Sequence, residues 1–198
     1  MNRADFEELI SHVTKTPSQT ASRLEEHFGS YGAIIEAEPV EIADALDGDM
    51  NVAIYVKLAA SLVSRRLSDK LTVGQKYTAE EIKVFLVSYF YGRSVETVAV
   101  LSIDSHGKII SLDKVSEGTV NFSAVMPRKI LEVAKRRCAK RVIIAHNHPG
   151  GYPYPSDDDI ASATLMTELF MMSGVEGVDN YVVAGSNCQK INLKGTNS

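Results

Sequence analysis

Two cysteines, Cys138 and Cys188, no tryptophan and six prolines leave this chain of 198 residues without staples. Two cysteines cannot build a disulfide framework, so the fold must rest on its own core, and the chain reads as cytoplasmic, from a reducing compartment. Long apolar runs are missing as well. No stretch approaches the ~18 consecutive apolar residues that span a bilayer, so no membrane partner is expected. The opening MNRADFEELISHV sets acids among its apolar residues, where a signal peptide has an unbroken apolar segment. Positive charge is not in excess either. Lys and Arg number 21 against 25 Asp and Glu, a net charge of −4, which argues against a protein that coats nucleic acid by bulk electrostatics and leaves room only for a local basic patch. What is present is ordinary for a folded chain: 44% apolar and 23% charged residues, enough for a proper core and too much for disorder.

The first seventy residues read as helical. Phe6, Leu9, Ile10 and Val13 recur at helical spacing until Thr16-Pro17-Ser18 breaks the pattern. Ala21, Leu24 and Phe28 follow, with Gly29 as C-cap, then short pieces around Ile34 and Ile42. The longest helix is expected over 52–67, with Val56, Ala59, Ala60 and Val63 facing inward and Arg65-Arg66 suiting the negative pole of its dipole. The polar stretch from Lys70 to Tyr77 marks a boundary, giving a helical region over 1–70 and a second region over 78–198. There the character changes. A helix over 79–88 precedes strand-like runs at 96–103, 108–112, 142–145 and 180–184, with a hairpin turn at Asp104-Ser105-His106-Gly107. Helices are expected from Pro127 to about Ala139 and from Ser156 to about Met172. The fold class is therefore α/β, helices packed on a sheet in two or three layers, preceded by a small all-helical region.

The chemistry concentrates in 142–159, VIIAHNHPGGYPYPSDDD. An apolar strand ends in His146-Asn147-His148. Residues two apart on a strand point the same way, so both imidazoles project to one side at the strand's C-terminal edge, where α/β proteins place ligands. Pro149-Gly150-Gly151 forces a turn, and Pro153 and Pro155 stiffen the loop before Ser156. A loop of this length brings Asp159 back beside the histidines. Two His and one Asp leave a fourth position open, the arrangement of a catalytic zinc, which lowers the pKa of water bound there to about 7.

A second reading stands beside this one. Ser156 with Asp159 three residues on is also a capping-box pair that needs no metal, and Asp157 and Asp158 are first-turn carboxylates that the helix dipole favours. Hydrolysis further requires a base, and Glu96, at the start of the first strand, is the candidate. The residues alone leave open that it is an exposed strand-edge glutamate. Cys138 on a helix and Cys188 near the chain's end read as core thiols rather than ligands. No His-Glu-x-x-His helix and no Pro-Cys-x-x-Cys accompany them.

The run His146-Asn147-His148-Pro149, then Pro155-Ser156 and Asp159, resembles the JAMM motif of JAB/MPN-domain metalloproteins. Asn between the histidines and Pro before Ser are similar to the RadC branch in particular. Val95-Glu96 leading a strand that ends at Asp104, Gly118-Thr119, Pro127-Arg128 and Gly177 to Gly185 extend the likeness over about 78–198. The resemblance implies a JAB/MPN-type mixed sheet flanked by helices, cytidine-deaminase-like. It also implies Zn²⁺ held by His146, His148 and Asp159, with Glu96 as general base and Ser156 stabilising an oxyanion. Cleavage of peptide or isopeptide bonds is the activity so implied. The partners it brings into view are peptide or protein substrates, ubiquitin-like proteins among them; its alternative is a DNA-binding accessory protein of DNA repair whose zinc domain is a non-catalytic interaction module, with nucleic acid as the partner.

The sequence departs from that pattern in places. Gly150 and Tyr152 stand where the family typically has Ser and Asp, and Asp179-Asn180 replaces its Asp-His pair. The family's helical region contains a helix-hairpin-helix whose glycines offer backbone amides to phosphate. Here Leu46-Asp47-Gly48-Asp49-Met50-Asn51 keeps one glycine and adds two acids, which repel phosphate.

Overall fold

A computed structural model describes residues 2–68, 72–118, 125–149 and 151–193, with side chains placed except at 64–68 and 125–126. Lys70, Thr119 and Gly150 lie outside the described residues, as do the side chains of Arg65 and Arg66.

The chain begins with α1 (Arg3–Ile10), α2 (Pro17–Phe28), α3 (Tyr31–Glu36), α4 (Pro39–Asp44) and α5 (Met50–Ser68). Caps set several of the ends. Asn2 and Asp5 form a capping box at α1, and α2 stops where Gly29 takes φ 75°, a left-handed conformation glycine adopts without penalty. The helices share one apolar cluster, in which Phe6, Ile10, Leu24, Ile34, Ile42 and Val56 are buried. On α5, Val56 and Ala60 face this cluster as the spacing predicts, and Ala59 is half-buried. Val63 does not: it is 47% exposed. Among the described residues, Ala60 is the last of α5 in the cluster.

The remaining elements are α6 (Ala79–Phe90), β1 (Thr97–Ile103), β2 (Ile109–Glu117), α7 (Val125–Arg136), β3 (Arg141–Asn147), α8 (Asp157–Met172), β4 (Gly177–Ala184) and β5 (Asn187–Lys190). The strands form a single mixed sheet in the order β2-β1-β3-β4-β5. β1 pairs antiparallel with β2 and β3, β3 runs parallel to β4, and β4 is antiparallel to β5. Alternation assigns the two faces. Ala99, Leu101, Ile143, Ala145 and Tyr181 pack on Phe85, Leu86 and Phe90 of α6. Val98, Val100, Val142 and Ile144 pack on Ile130 of α7 and on Met166 and Phe170 of α8. The result is three layers, with β1 and β3 buried on both faces, which is why both read as continuous apolar runs.

Some expectations need correction. β2 continues to Glu117 instead of ending near Leu112, because it pairs with β1 along its whole length. α7 ends at Arg136, short of Ala139, where the chain turns through Cys138 at φ 52°. That turn leaves Cys138 exposed, not a core thiol. Cys188 does pack against the α6 face, and burial pushes its thiol up to about 11. β5 was not foreseen: its four residues, Asn-Cys-Gln-Lys, carry little strand signal, and pairing with β4 creates it. Among the described residues, no helix is long and apolar enough to cross a membrane.

Candidate metal centre

The centre forms where β3 ends and α8 begins. His146 and Asn147 close β3, and His148 follows, its N–H donating to Val183 O at 2.8 Å so that pairing with β4 extends one residue further. The chain then tightens through a turn in which Gly151 N–H donates to His148 O at 3.2 Å. A Cβ on Gly151 would lie 3.1 Å from that of His148, so this return of the loop needs glycine or a shift of its neighbour.

Ser156 is the N-cap of α8 and Asp159 its third residue, and both halves of the capping box are present. Ser156 Oγ accepts from Asp159 N–H at 3.1 Å, while Ser156 N–H and Oγ–H donate to Asp159 Oδ2 at 2.7 and 2.6 Å. The cap thus aims the carboxylate at the histidines. His146 Nε2 is 3.1 Å from Asp159 Oδ1, His148 Nε2 is 3.4 Å from Oδ2, and the two Nε2 atoms are 3.1 Å apart. These three residues offer ligand atoms that all lie within 4.8 Å of one another. His146 and Asp159 are buried and His148 partly so.

Charge follows geometry. Burial pushes the Asp159 carboxyl up, but hydrogen bonds with His146, His148 and Ser156 outweigh it and hold the group far below the usual carboxylate range. Its hydrogen bond to Asp159 raises the His148 imidazole against the opposing effect of burial, and the contact of Nδ1 with Tyr152 O, 3.2 Å away, adds to the rise. With Nδ1–H donated to that carbonyl, Nε2 is the nitrogen that faces Asp159, and loss of its proton gives the tautomer a metal ligand requires.

Glu96 directly precedes β1, half-buried, and its negative charge contributes to the rise at His148. Extending the pairing of Val98 with His146 by two residues sets Glu96 opposite His148. Asn147, to which the residues alone assign no structural role, fixes that alignment. Its side chain is buried between the histidines' strand and β1, where Oδ1 accepts from Thr97 N–H at 2.8 Å and Nδ2 donates to Val95 O at 3.2 Å. It therefore grips the peptide groups on both sides of Glu96. A polar residue alternating out of phase with two candidate ligands was the available signal: it had to face the sheet's other side, where only a backbone partner would satisfy it.

The helical region's turn keeps its acids in view. Asp47, at φ 57°, is ion-paired to Arg23 at 2.8 Å, and Gly48 follows at φ 90°.

The chain has relatives among known proteins. A UPF0758 protein of Chromobacterium violaceum is 29% identical over 89% of this chain and 80% of its own length. UPF0758 proteins of Herminiimonas arsenicoxydans and of a Janthinobacterium (strain Marseille) are each 32% identical, over 80% and 81% of this chain and 71% and 72% of theirs. Residues 76–195, which carry the sheet, the helices α6 to α8 and the His146–His148–Asp159 cluster, match the RadC-like JAB domain, and the chain belongs to that family.

Proposed function

We propose that this protein is a zinc-dependent hydrolase of the JAMM type that cleaves a peptide or isopeptide amide bond. The observation that carries the reading is the convergence of His146 Nε2, His148 Nε2 and the buried Asp159 carboxylate within 4.8 Å of one another. Two neutral nitrogens and one carboxylate are the donor set of a zinc site that keeps a position open. Zinc bound there supplies Lewis acidity and makes water acidic enough to ionise near neutral pH.

The chain's own groups do the rest. Glu96, opposite His148 and anchored through Asn147, takes a proton from the attacking water onto its carboxylate and passes it to the leaving amine nitrogen. Ser156 has two roles in tension. Its lone pair holds Asp159 N–H, which caps α8, while its hydroxyl proton lies on Asp159 Oδ2 at 2.6 Å. Turning that proton outward donates a hydrogen bond to a developing oxyanion without uncapping the helix.

The test is metal content after dialysis against a weak chelator. About one zinc per chain is expected in the wild type and none in Asp159→Ala; a metal-free wild type with its fold intact overturns the reading, leaving Ser156 and Asp159 as a cap alone. Peptide and isopeptide substrates then probe Glu96→Gln, for which zinc is retained and cleavage is lost. Unchanged cleavage in that variant removes Glu96 from the mechanism.

A further inference from the structure

A cavity of about 390 Å³ opens between α7 and α8 on the sheet face that carries the histidines. His146 and Asp159 form one wall of it, so it is continuous with the metal centre. Ile130, Ile144, Met166 and Ile191 make much of the rest apolar, with Asp158 and Ser162 on the α8 side. One feature of the lining is out of place in such a pocket. Asn180 of β4 lies beside Ile144 in the register, one strand alternation deeper than the level of His146, and is 6% exposed. Its carbonyl accepts from Ile191 N–H, yet among the described residues nothing hydrogen-bonds its side-chain amide. Nor is that amide sealed away. Among the described residues, Ser102 Oγ is the fully enclosed side-chain polar atom without a partner, so what Asn180 still exposes is turned to the cavity.

A buried carboxamide with free donors and acceptor selects its ligand. A purely apolar group filling this space would strip water from the amide and give nothing back, which costs more than the apolar contact gains. A carboxylate tip meets Asp158 and Asp159 along the same lining, which disfavours a second negative charge. We infer that the cavity receives an uncharged side chain with an apolar stem and a hydrogen-bonding tip, of the glutamine kind, on the residue flanking the scissile amide. Asn180 then determines specificity through paired amide–amide hydrogen bonds. This rests on the proposed hydrolase reading for the scissile bond, but the pocket and its preference exist without metal.

The experiment therefore has two arms. In the metal-free chain, the Asn180 side-chain amide signals are assigned in a ¹⁵N spectrum by their loss in Asn180→Leu. They are then followed on adding the N-acetyl methylamides of glutamine, leucine and glutamate. The glutamine compound is expected to shift them and the other two to leave them in place. In the zinc-loaded protein, calorimetry compares acetohydroxamate with three hydroxamates of one tail length, ending in a carboxamide, an isopropyl group or a carboxylate. The carboxamide tail is expected to bind at least tenfold tighter than acetohydroxamate. Asn180→Leu is expected to invert the order in favour of isopropyl, with acetohydroxamate unchanged. Tails that add nothing, or an isopropyl tail that binds tightest in the wild type, overturn the proposal while leaving the hydrolase reading standing. A wild type that holds no zinc overturns the hydrolase reading instead, and the amide spectrum then decides the pocket alone, a silent Asn180 refuting it.

Discussion

His148 and Asp159 make each other's charge, and that coupling sets how the centre responds to pH. The imidazole's pKa is raised above 6.5, chiefly by its hydrogen bond to Asp159. A raised value in the folded state means the pair stabilises the metal-free protein fully below the unfolded value near 6.5, and the contribution is lost as pH rises through the folded value. A metal needs the opposite state, with the proton gone. The gain in melting temperature on adding zinc is therefore expected to be largest near pH 8 and to narrow steadily below about pH 7. An increment that stays constant down to about pH 5.5 contradicts the assignment. Ser156 offers a second test at this scale. Ser156→Ala removes the α8 cap, at a cost of about 1 kcal/mol in urea unfolding. It also removes a hydrogen bond that orients Asp159, which weakens zinc affinity roughly tenfold in a chelator competition.

Between elements, two clamps decide whether the centre is assembled. Asn147 ties the end of β3 to the start of β1. In Asn147→Ala, Thr97 N–H and Val95 O lose their side-chain partner, for about 2 kcal/mol of stability. Zinc content is expected to persist in that variant while cleavage falls, because the ligands sit on β3 and α8 and Glu96 alone is released. Proportionate loss of both would make Asn147 a structural residue only. On the opposite side of the sheet's centre, Asp113 of β2 accepts from Arg137 Nε at 3.1 Å and Nη2 at 2.7 Å, pinning the turn after α7. The Arg137 hydrogen bond holds the Asp113 carboxyl below its ordinary range. Its contribution is thus present above about pH 4 and lost as pH falls through the lowered value. Asp113→Asn is expected to cost about 1 kcal/mol at neutral pH, Arg137 being partly exposed and screened, and close to nothing in strong acid.

At the scale of the molecule, the helical region is joined to the sheet region by a close backbone approach. Gly92, in the turn between α6 and β1, adopts φ 71°, and a Cβ there would lie 2.7 Å from Ala60 Cβ on α5. Lys57 of α5 reinforces the junction: its ammonium donates to Ile35 O at 2.6 Å and Gly92 O at 2.9 Å, and burial pushes its pKa down. Gly92→Ala combines an unfavourable backbone conformation with a steric overlap, for an expected loss of about 2–4 kcal/mol in calorimetric or urea unfolding. Wild-type stability in this variant would show that the two regions are not packed through Gly92. The chain from Gly92 runs straight into Glu96, so this junction also sets where β1 begins.

How much could be read from the residues alone depends on whether the signal is local. The apolar runs of β1 and β3, the helical spacing of α1, α2 and α5, and the Ser156–Asp159 cap all lie within a few residues of one another, and periodicity and turn chemistry determine them. The spacing of His146 and His148 on a strand likewise fixed that both imidazoles share a face. What needed the tertiary structure lies across the sheet. Strand β5 exists because β4 offers it an edge, Val63 turns away from the described helical cluster, and Cys138 leaves the core because α7 ends early. Glu96 lies fifty residues before the histidines, and only the antiparallel register of β1 on β3, held by Asn147, sets it beside them. Asn180 enters the same centre by the parallel pairing of β4. A sequence determines the groups a chain carries and their local spacing, whereas pairing register, a long-range property paid in loop-closure entropy, decides which groups meet.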